Sequence, residues 1–575
     1  MQSIRPALVR QSSRGSSLVL VVIVCAILLF TLAALLTFTS SSRRLESQRL
    51  ENDRALYVAQ GLLAQGATWL RAQSIPPDVG SQTPVITTLN TSQYTNPDPG
   101  SYNTQLKIYG QRPSDGTAFY TIVADASYQG IRNAVHPFSR RVQSTLYREN
   151  FSKYELLVEK TIQWDPNANW VAYYGLGQVF FGPMHSNSGV GMFPNLWFLS
   201  PFTTAAKGNP PVRQYNDINT YFNQILHQQS AYDYINMLSS FGSFTVPPKF
   251  YAGMAAGVPP VTMPSDKNAT GMQDLYNNAK LKLPADYAGY DSSKGPNFDI
   301  QFNDPSSANG NGTITYRQYL GQNQNSPQYG PAVTAGLATI DSIAVTGNVV
   351  GLAGTIDGRV TLGAFDTATS PSHAGNGQIH ITGSLEYESR KSYQSVYGTE
   401  FQYSDAPQLY TSDGQDVNLN YVETLKQQVN RINDILGLVA EQDVVVNERD
   451  LDGQRIGNGL GSPRWLYLDG IVMATGTSSG GDTGTYWPEN VTGRPPGKAL
   501  RFGNLASHVK QDWDYYNGNG THTNGFVGPT LYDFRAADPT KTPPLFPTTG
   551  DYVVRENSWR ESFIASFNES PTLPF

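Results

Sequence analysis

Metal-binding and nucleophilic side chains are few in this chain and far apart. There are seven histidines (His136, His185, His227, His373, His380, His508 and His522) and one cysteine, Cys25. A zinc centre needs closely spaced Cys or His ligands, and none of these sites has that spacing. His185 in Met-His-Ser and His522 in Thr-His-Thr read as turn residues that bond backbone. Asp450-Leu451-Asp452-Gly453 opens like a calcium loop, but the remaining spacing and the closing Glu are missing. Glycoside chemistry needs carboxylates gathered on one face, and Asp and Glu are scattered along this sequence. No catalytic residue, metal or cofactor is expected. Arg132, Arg140, Arg141 and Arg148 are the one local basic group that could meet phosphates. The chain carries a net charge of −6, so solvated strand residues are the expected reading of these arginines.

Any such chemistry would have to be positioned by two very different regions. The first is N-terminal. Leu18 to Phe38 contains no charged residue, and Cys25 lies inside it as a small apolar packing residue. At ~1.5 Å per residue, a helix of that length spans the ~30 Å hydrocarbon core of a bilayer. Beyond Arg43-Arg44 the pattern becomes amphipathic. Leu45, Asn52, Leu56, Ala59, Leu63, Gly66 and Leu70 fall on one stripe, which suits packing on a sheet or on neighbouring helices. Pro76-Pro77 ends the pattern. One continuous helix from Ser16 to Ser74 would run roughly 90 Å, about three times what a membrane needs.

The second region is the rest of the chain. Charged residues are only 15% of the sequence, against ~25% in a typical soluble protein. Gly (53), Pro (37) and Tyr (33) are abundant, as expected of many short strands and tight turns. Tyr102–Tyr109, Thr117–Tyr128 and Arg140–Tyr147 read as paired antiparallel strands. Ile340–Tyr387 is a series of short apolar bursts cut by glycine. A β-solenoid or a β-sandwich with short strands would produce this pattern; the frequency of the turns favours the solenoid. Val422–Ile435 reads as a short helix, followed by strands at Leu436–Ala440 and Val444–Val446. Trp465–Met473 is a further apolar run.

A basic leader containing Arg5, Arg10 and Arg14 ends in Gly15, and Ser16-Ser17 lead into the apolar run. This junction resembles the class III signal of type IV pilins. The resemblance implies cleavage by prepilin peptidase between Gly15 and Ser16, N-methylation of Ser16, and retention of the helix as a filament core. Major pilins carry Glu at the fifth mature position, where this chain has Leu20, so the resemblance points to an accessory subunit. Arg54–Ala67 is similar to the PilX-type minor pilin N-terminal region. Phe181–Asn187, Gly354–Thr361, Leu436–Ala440, Tyr532–Arg535 and Pro543–Pro547 occur in an order that resembles a family of large minor pilins typified by the competence-associated protein ComZ.

The resemblance implies a fold that is mainly β with one long N-terminal α-helix: a pilin-like helix and antiparallel sheet carrying a large inserted β-solenoid. The expected divisions are a leader (1–15), the transmembrane and filament helix (16–75), a pilin-like sheet (76–165), a solenoid-like domain (166–525) and a segment returning to the head (526–575). The implied function is that of a tip-located minor pilin acting in pilus assembly and in DNA uptake during natural transformation. The implied partners are other pilins, prepilin peptidase, the inner membrane and DNA. The implied location is single-pass in the inner membrane, then in the pilus at the cell surface. A pilus-tip adhesin for surfaces or glycans and a membrane-anchored solenoid enzyme acting on polysaccharide are the alternatives.

Overall fold

Proline is absent between Arg14 and Arg71, and the computed structural model shows one uninterrupted 58-residue helix there. The structure describes residues 14–72, 85–86, 101–111, 118–129, 138–161, 173–174, 178–192, 196–207, 212–214, 248–269, 271–303, 312–323, 326–367, 376–391, 409–411, 416–452, 465–476, 484–489, 497–510, 514–516, 522–527, 530–571 and 573. The fold is mainly β apart from this helix.

The outer half of the helix lies on an antiparallel sheet. Strands Ser101–Gln111, Phe119–Gln129 and Phe138–Asn150 pair in sequence order. The C-terminal strands Thr548–Val554 and Arg560–Phe563 both add to the far side of Phe138–Asn150. The sheet is therefore completed by segments about four hundred residues further along the chain, in keeping with buried contacts such as Ser144 to Ser558 (|i−j| = 414).

Between these two parts of the sheet, Thr313–Asn323 pairs antiparallel with Asn297–Phe302, and Asp514–Tyr516 with His522–Val527, but most strands run parallel. Ten of them form one sheet, in the order Met254–Ala256, Phe202–Thr204, Met184–Ser186, Leu156–Thr161, Leu505–Lys510, Ile471–Ala474, Ile435–Ala440, Arg359–Phe365, Ser342–Thr346, Leu281–Leu283. A second sheet carries Asn297–Phe302, Asn348–Ile356, Ile379–Tyr387, Trp465–Asp469 and Gly497–Phe502, also parallel to one another. Consecutive strands alternate between the two sheets over much of this stretch: Ser342–Thr346 is in the first, Asn348–Ile356 in the second, Arg359–Phe365 in the first and Ile379–Tyr387 in the second. Their facing side chains, among them Ile343, Val349, Leu352, Val360, Leu362, Ile381, Leu438 and Val472, form one continuous apolar core. Parallel ladders buried on their inner faces favour such β-branched and Leu residues.

The order of the ten strands reveals how the chain is threaded. It enters the sheet in the middle, at Leu156, and lays down three more strands outward to Ala256. It resumes at the opposite end, at Leu281, and works back to Leu505, which pairs in parallel with Leu156. At ~4.8 Å per strand the first and last strands stand roughly 43 Å apart. Residues 257–269 and 271–280 lie between these ends along the outside of the sheet. Met263, Met272, Leu275 and Ala279 are buried there against Phe365, Val439, Met473 and Ala506. Asn187 fastens this strap near its start through both its amide nitrogen and its oxygen to Val261. The Glu441 carboxylate accepts from the Lys267 amide at 2.8 Å further along.

Two details depart from the sequence reading. The parallel pairing begins at Leu156, ahead of residue 166. The short helix expected at Val422–Ile435 spans Leu419–Val429, and Ile435 already belongs to the following strand.

Candidate functional site

The helix has two halves with opposite surroundings. From Leu18 to Phe38 its apolar side chains are exposed on every side: Leu18 is 70%, Phe30 78% and Phe38 71% accessible. The helix is long and apolar enough to cross a membrane. Its polar groups are compatible with that setting. The hydroxyls of Thr31, Thr37, Thr39 and Ser40 donate to carbonyls three or four residues back, which satisfies them within the helix itself. Cys25 is exposed in the same stretch.

From Glu51 onward one face of the helix is covered. Glu51, Ala55, Val58, Ala59, Leu62, Leu63, Gly66 and Leu70 are buried, with spacings of three and four. This face differs in part from the expected stripe. Ala59, Leu63, Gly66 and Leu70 lie on it, whereas Leu45 is 66% exposed and Asn52 and Leu56 are only half-buried. The apolar cluster between helix and sheet starts at Leu56 and does not include Leu45. The face packs on Leu106, Ile108, Ile122, Ala124, Val142, Leu146 and Tyr552. Gly66 lets the helix approach closely, since a Cβ there would meet the Ile122 Cγ2 methyl at 2.9 Å. Polar clamps complete the contact: Arg54 donates to the Tyr128 hydroxyl, Arg71 to the Tyr552 carbonyl and Gln60 to the Glu561 carboxylate. Two of these three bonds reach the returning C-terminal segment.

The structure assigns different surroundings to the residues considered for binding chemistry. Arg141 is buried and holds Asp125 through two bonds of 2.7 and 2.9 Å. Arg140 stacks over Phe563 with its guanidinium carbon 4.1 Å from the ring centroid, and Arg148 lies over Tyr552. They are internal parts of the head sheet, not solvated strand residues and not a phosphate-binding surface. Arg132 lies outside the described residues.

His185 is buried in a strand, between the Thr203 hydroxyl and the Asn187 side chain, and burial lowers its pKa below the usual histidine range. It is a strand residue bonding side chains, where a turn residue bonding backbone was expected. His380 bonds Asn447 and Gln378. His508 pairs with Glu159 at 2.7 Å across the junction of the entering and returning strands. His136, His227, His373 and the side chain of His522 are outside the described residues, as are Gly453 and the leader before Arg14; the backbone of Gly15 and Ser16 is the first turn of the helix. Among the described residues, no group of three or more His, Cys, Asp and Glu could hold a metal ion.

One polar centre has no counterpart in the sequence reading. Glu155, just before the entering strand, is buried, and its carboxylate accepts the Gly182 amide at 2.7 Å. Removal from water pushes its pKa up to about 8. Isolated along the chain, this Glu carries no sequence signal of its special place.

No family model, curated protein or solved structure matches the chain.

Proposed function

We propose that this chain is an accessory type IV pilin: a structural subunit, not an enzyme, cut by prepilin peptidase after Gly15. In this reading its helix passes from the inner membrane into the filament. The observation that carries the proposal is the division of one helix into a wholly exposed apolar half and an outer half clamped to an antiparallel sheet. An apolar helix with no cover among the described residues needs lipid or other helices around it, and a filament core supplies the second once the membrane has supplied the first. A plain membrane anchor would not need an outer half held so closely.

The same reading takes the two parallel sheets as successive turns of a β-solenoid inserted into the pilin head. Its support is the alternation of consecutive strands between the sheets and the common apolar core between them. Leu20, in the place where major pilins carry Glu, supports a rare subunit near the filament tip. The role in DNA uptake rests on the family resemblance, and loss of transformation in a deletion strain with intact pili would support it.

The test is Gly15→Leu at the junction. The variant is expected to accumulate in the inner membrane with its leader attached and to be missing from sheared filaments. Gly15→Leu protein found in filaments at the wild-type level would refute the cleavage reading.

A further inference from the structure

Glu155 stands where four segments of the chain meet: the turn Phe151–Lys153 that leaves the head, the corner Phe181–Pro183, the return at Asn504–Leu505 and the exit at Tyr532–Arg535. The Glu155 amide donates to the Pro183 carbonyl at 2.9 Å, and the Leu505 amide donates to the Glu155 carbonyl at 3.1 Å. Tyr532 donates to the Lys153 carbonyl, and its ring lies so close over Gly182 that a Cβ there would meet it at 2.5 Å. Asn504 bridges the Ser152 carbonyl and the Asp533 amide. Head and stacked strands therefore meet at this polar neck, beside a second contact in which the Thr548 amide donates to the Gly271 carbonyl at 3.3 Å.

Among the described residues, the Glu155 carboxylate accepts from the backbone N–H groups of Gly182 and Phe181 alone. The charged groups nearby are occupied elsewhere: Lys153 pairs with Glu149, and Arg535 pairs with Asp533. Tyr532 faces Glu155 from the exit segment and is itself neutral, because burial raises its pKa. His185, one strand further on, is taken by Thr203 and Asn187. A buried carboxylate without a cation is costly.

We propose that Glu155 makes the neck a proton-operated joint, which is tight while the carboxyl is neutral and loosens when it ionises. The unfolded chain releases this proton near pH 4.5, whereas the folded chain keeps it until about pH 8. Stability from the neck is therefore complete below the lower value and is lost as pH rises to the upper one. The joint would favour a firm head-to-stack connection in acidic surroundings and give the stack freedom to pivot in alkaline ones.

Amide hydrogen exchange of the full chain in detergent, read at Gly182 and Leu505 between pH 5 and 9, tests this. After correction for intrinsic exchange, wild-type protection should fall by up to about tenfold per pH unit and level off above about pH 8. Glu155→Gln should hold protection constant across the range. Tyr532→Phe should keep the wild-type slope. Flat wild-type protection would overturn the proposal, whether or not the Gln variant folds. So would an unchanged slope in Glu155→Gln, or a slope lost in Tyr532→Phe.

Discussion

Arg535→Ala is expected to lower the unfolding free energy by about 3–5 kcal/mol, the usual cost of leaving one partner of a buried ion pair alone. Arg535 and Asp533 are both buried, at 3% and 0% exposure. The guanidinium holds the carboxylate through Nε and Nη2, at 2.8 and 2.6 Å. Its Nη1 also donates to the carbonyls of Ile432 and Asp434, which close the loop between the helix Leu419–Val429 and the strand Ile435–Ala440. The pair therefore ties the exit segment to the middle of the stack, 101 residues back from Arg535 in the chain. Alanine would leave the Asp533 carboxyl group and two carbonyls buried without the side chain that donates to them. Removing both charges should cost less, so Asp533→Asn with Arg535→Met should be more stable than Arg535→Ala alone. Denaturant titration of the three variants tests this, and a loss under ~1 kcal/mol for Arg535→Ala would contradict the assigned burial.

The second large effect is expected at a corner. Gly503 has φ of +147°, and a Cβ at this position would lie 1.8 Å from the Gly470 carbonyl oxygen. Gly470 lies in the neighbouring corner, between Trp465–Asp469 and Ile471–Ala474, and its amide donates to the Phe502 carbonyl at 2.9 Å. No side-chain rotation relieves a clash between a Cβ and a backbone oxygen. Gly503→Ala should therefore cost at least ~3 kcal/mol, combining backbone strain with separation of adjacent strands. Gly550→Ala is the control, because nothing lies within 4 Å of a Cβ built there; it should shift stability by no more than ~0.5 kcal/mol. Equal melting temperatures for the two alanine variants would contradict the register of this corner.

Local features were legible in the sequence, and long-range ones were not. The length of the helix, the antiparallel strands at residues 101–150 and the short apolar strands with glycine corners each follow from periodicity within a short window. The five ordered strings marked positions worth noting but did not show what they do. In the fold three contacts connect them. Gly182 lies under Tyr532, and Gly437 lies under Phe546, whose ring a Cβ would meet at 2.6 Å. Arg359 donates to the carbonyls of Thr540 and Thr542, next to the proline-rich string. Each pair joins segments more than one hundred residues apart, a separation over which hydrophobic periodicity carries no information.

The threading was hidden for the same reason. A parallel strand does not specify its neighbour, so nothing local shows that Leu156 pairs with Leu505. The arginines 140, 141 and 148 show the limit from the other direction: their spacing resembles a basic surface, and only the fold places Asp125 and the aromatic rings beside them. Glu155 is one acid among many in the sequence and gains its significance from the four segments that enclose it.

The most direct test of the central claim is the N-terminus of the mature protein, read by intact mass and N-terminal sequencing of material purified from the native cell envelope. The account predicts a chain that begins at N-methylated Ser16 and keeps the whole apolar helix. A chain that still begins at Met1, or one cut after Phe38 so that the helix is lost, would contradict it.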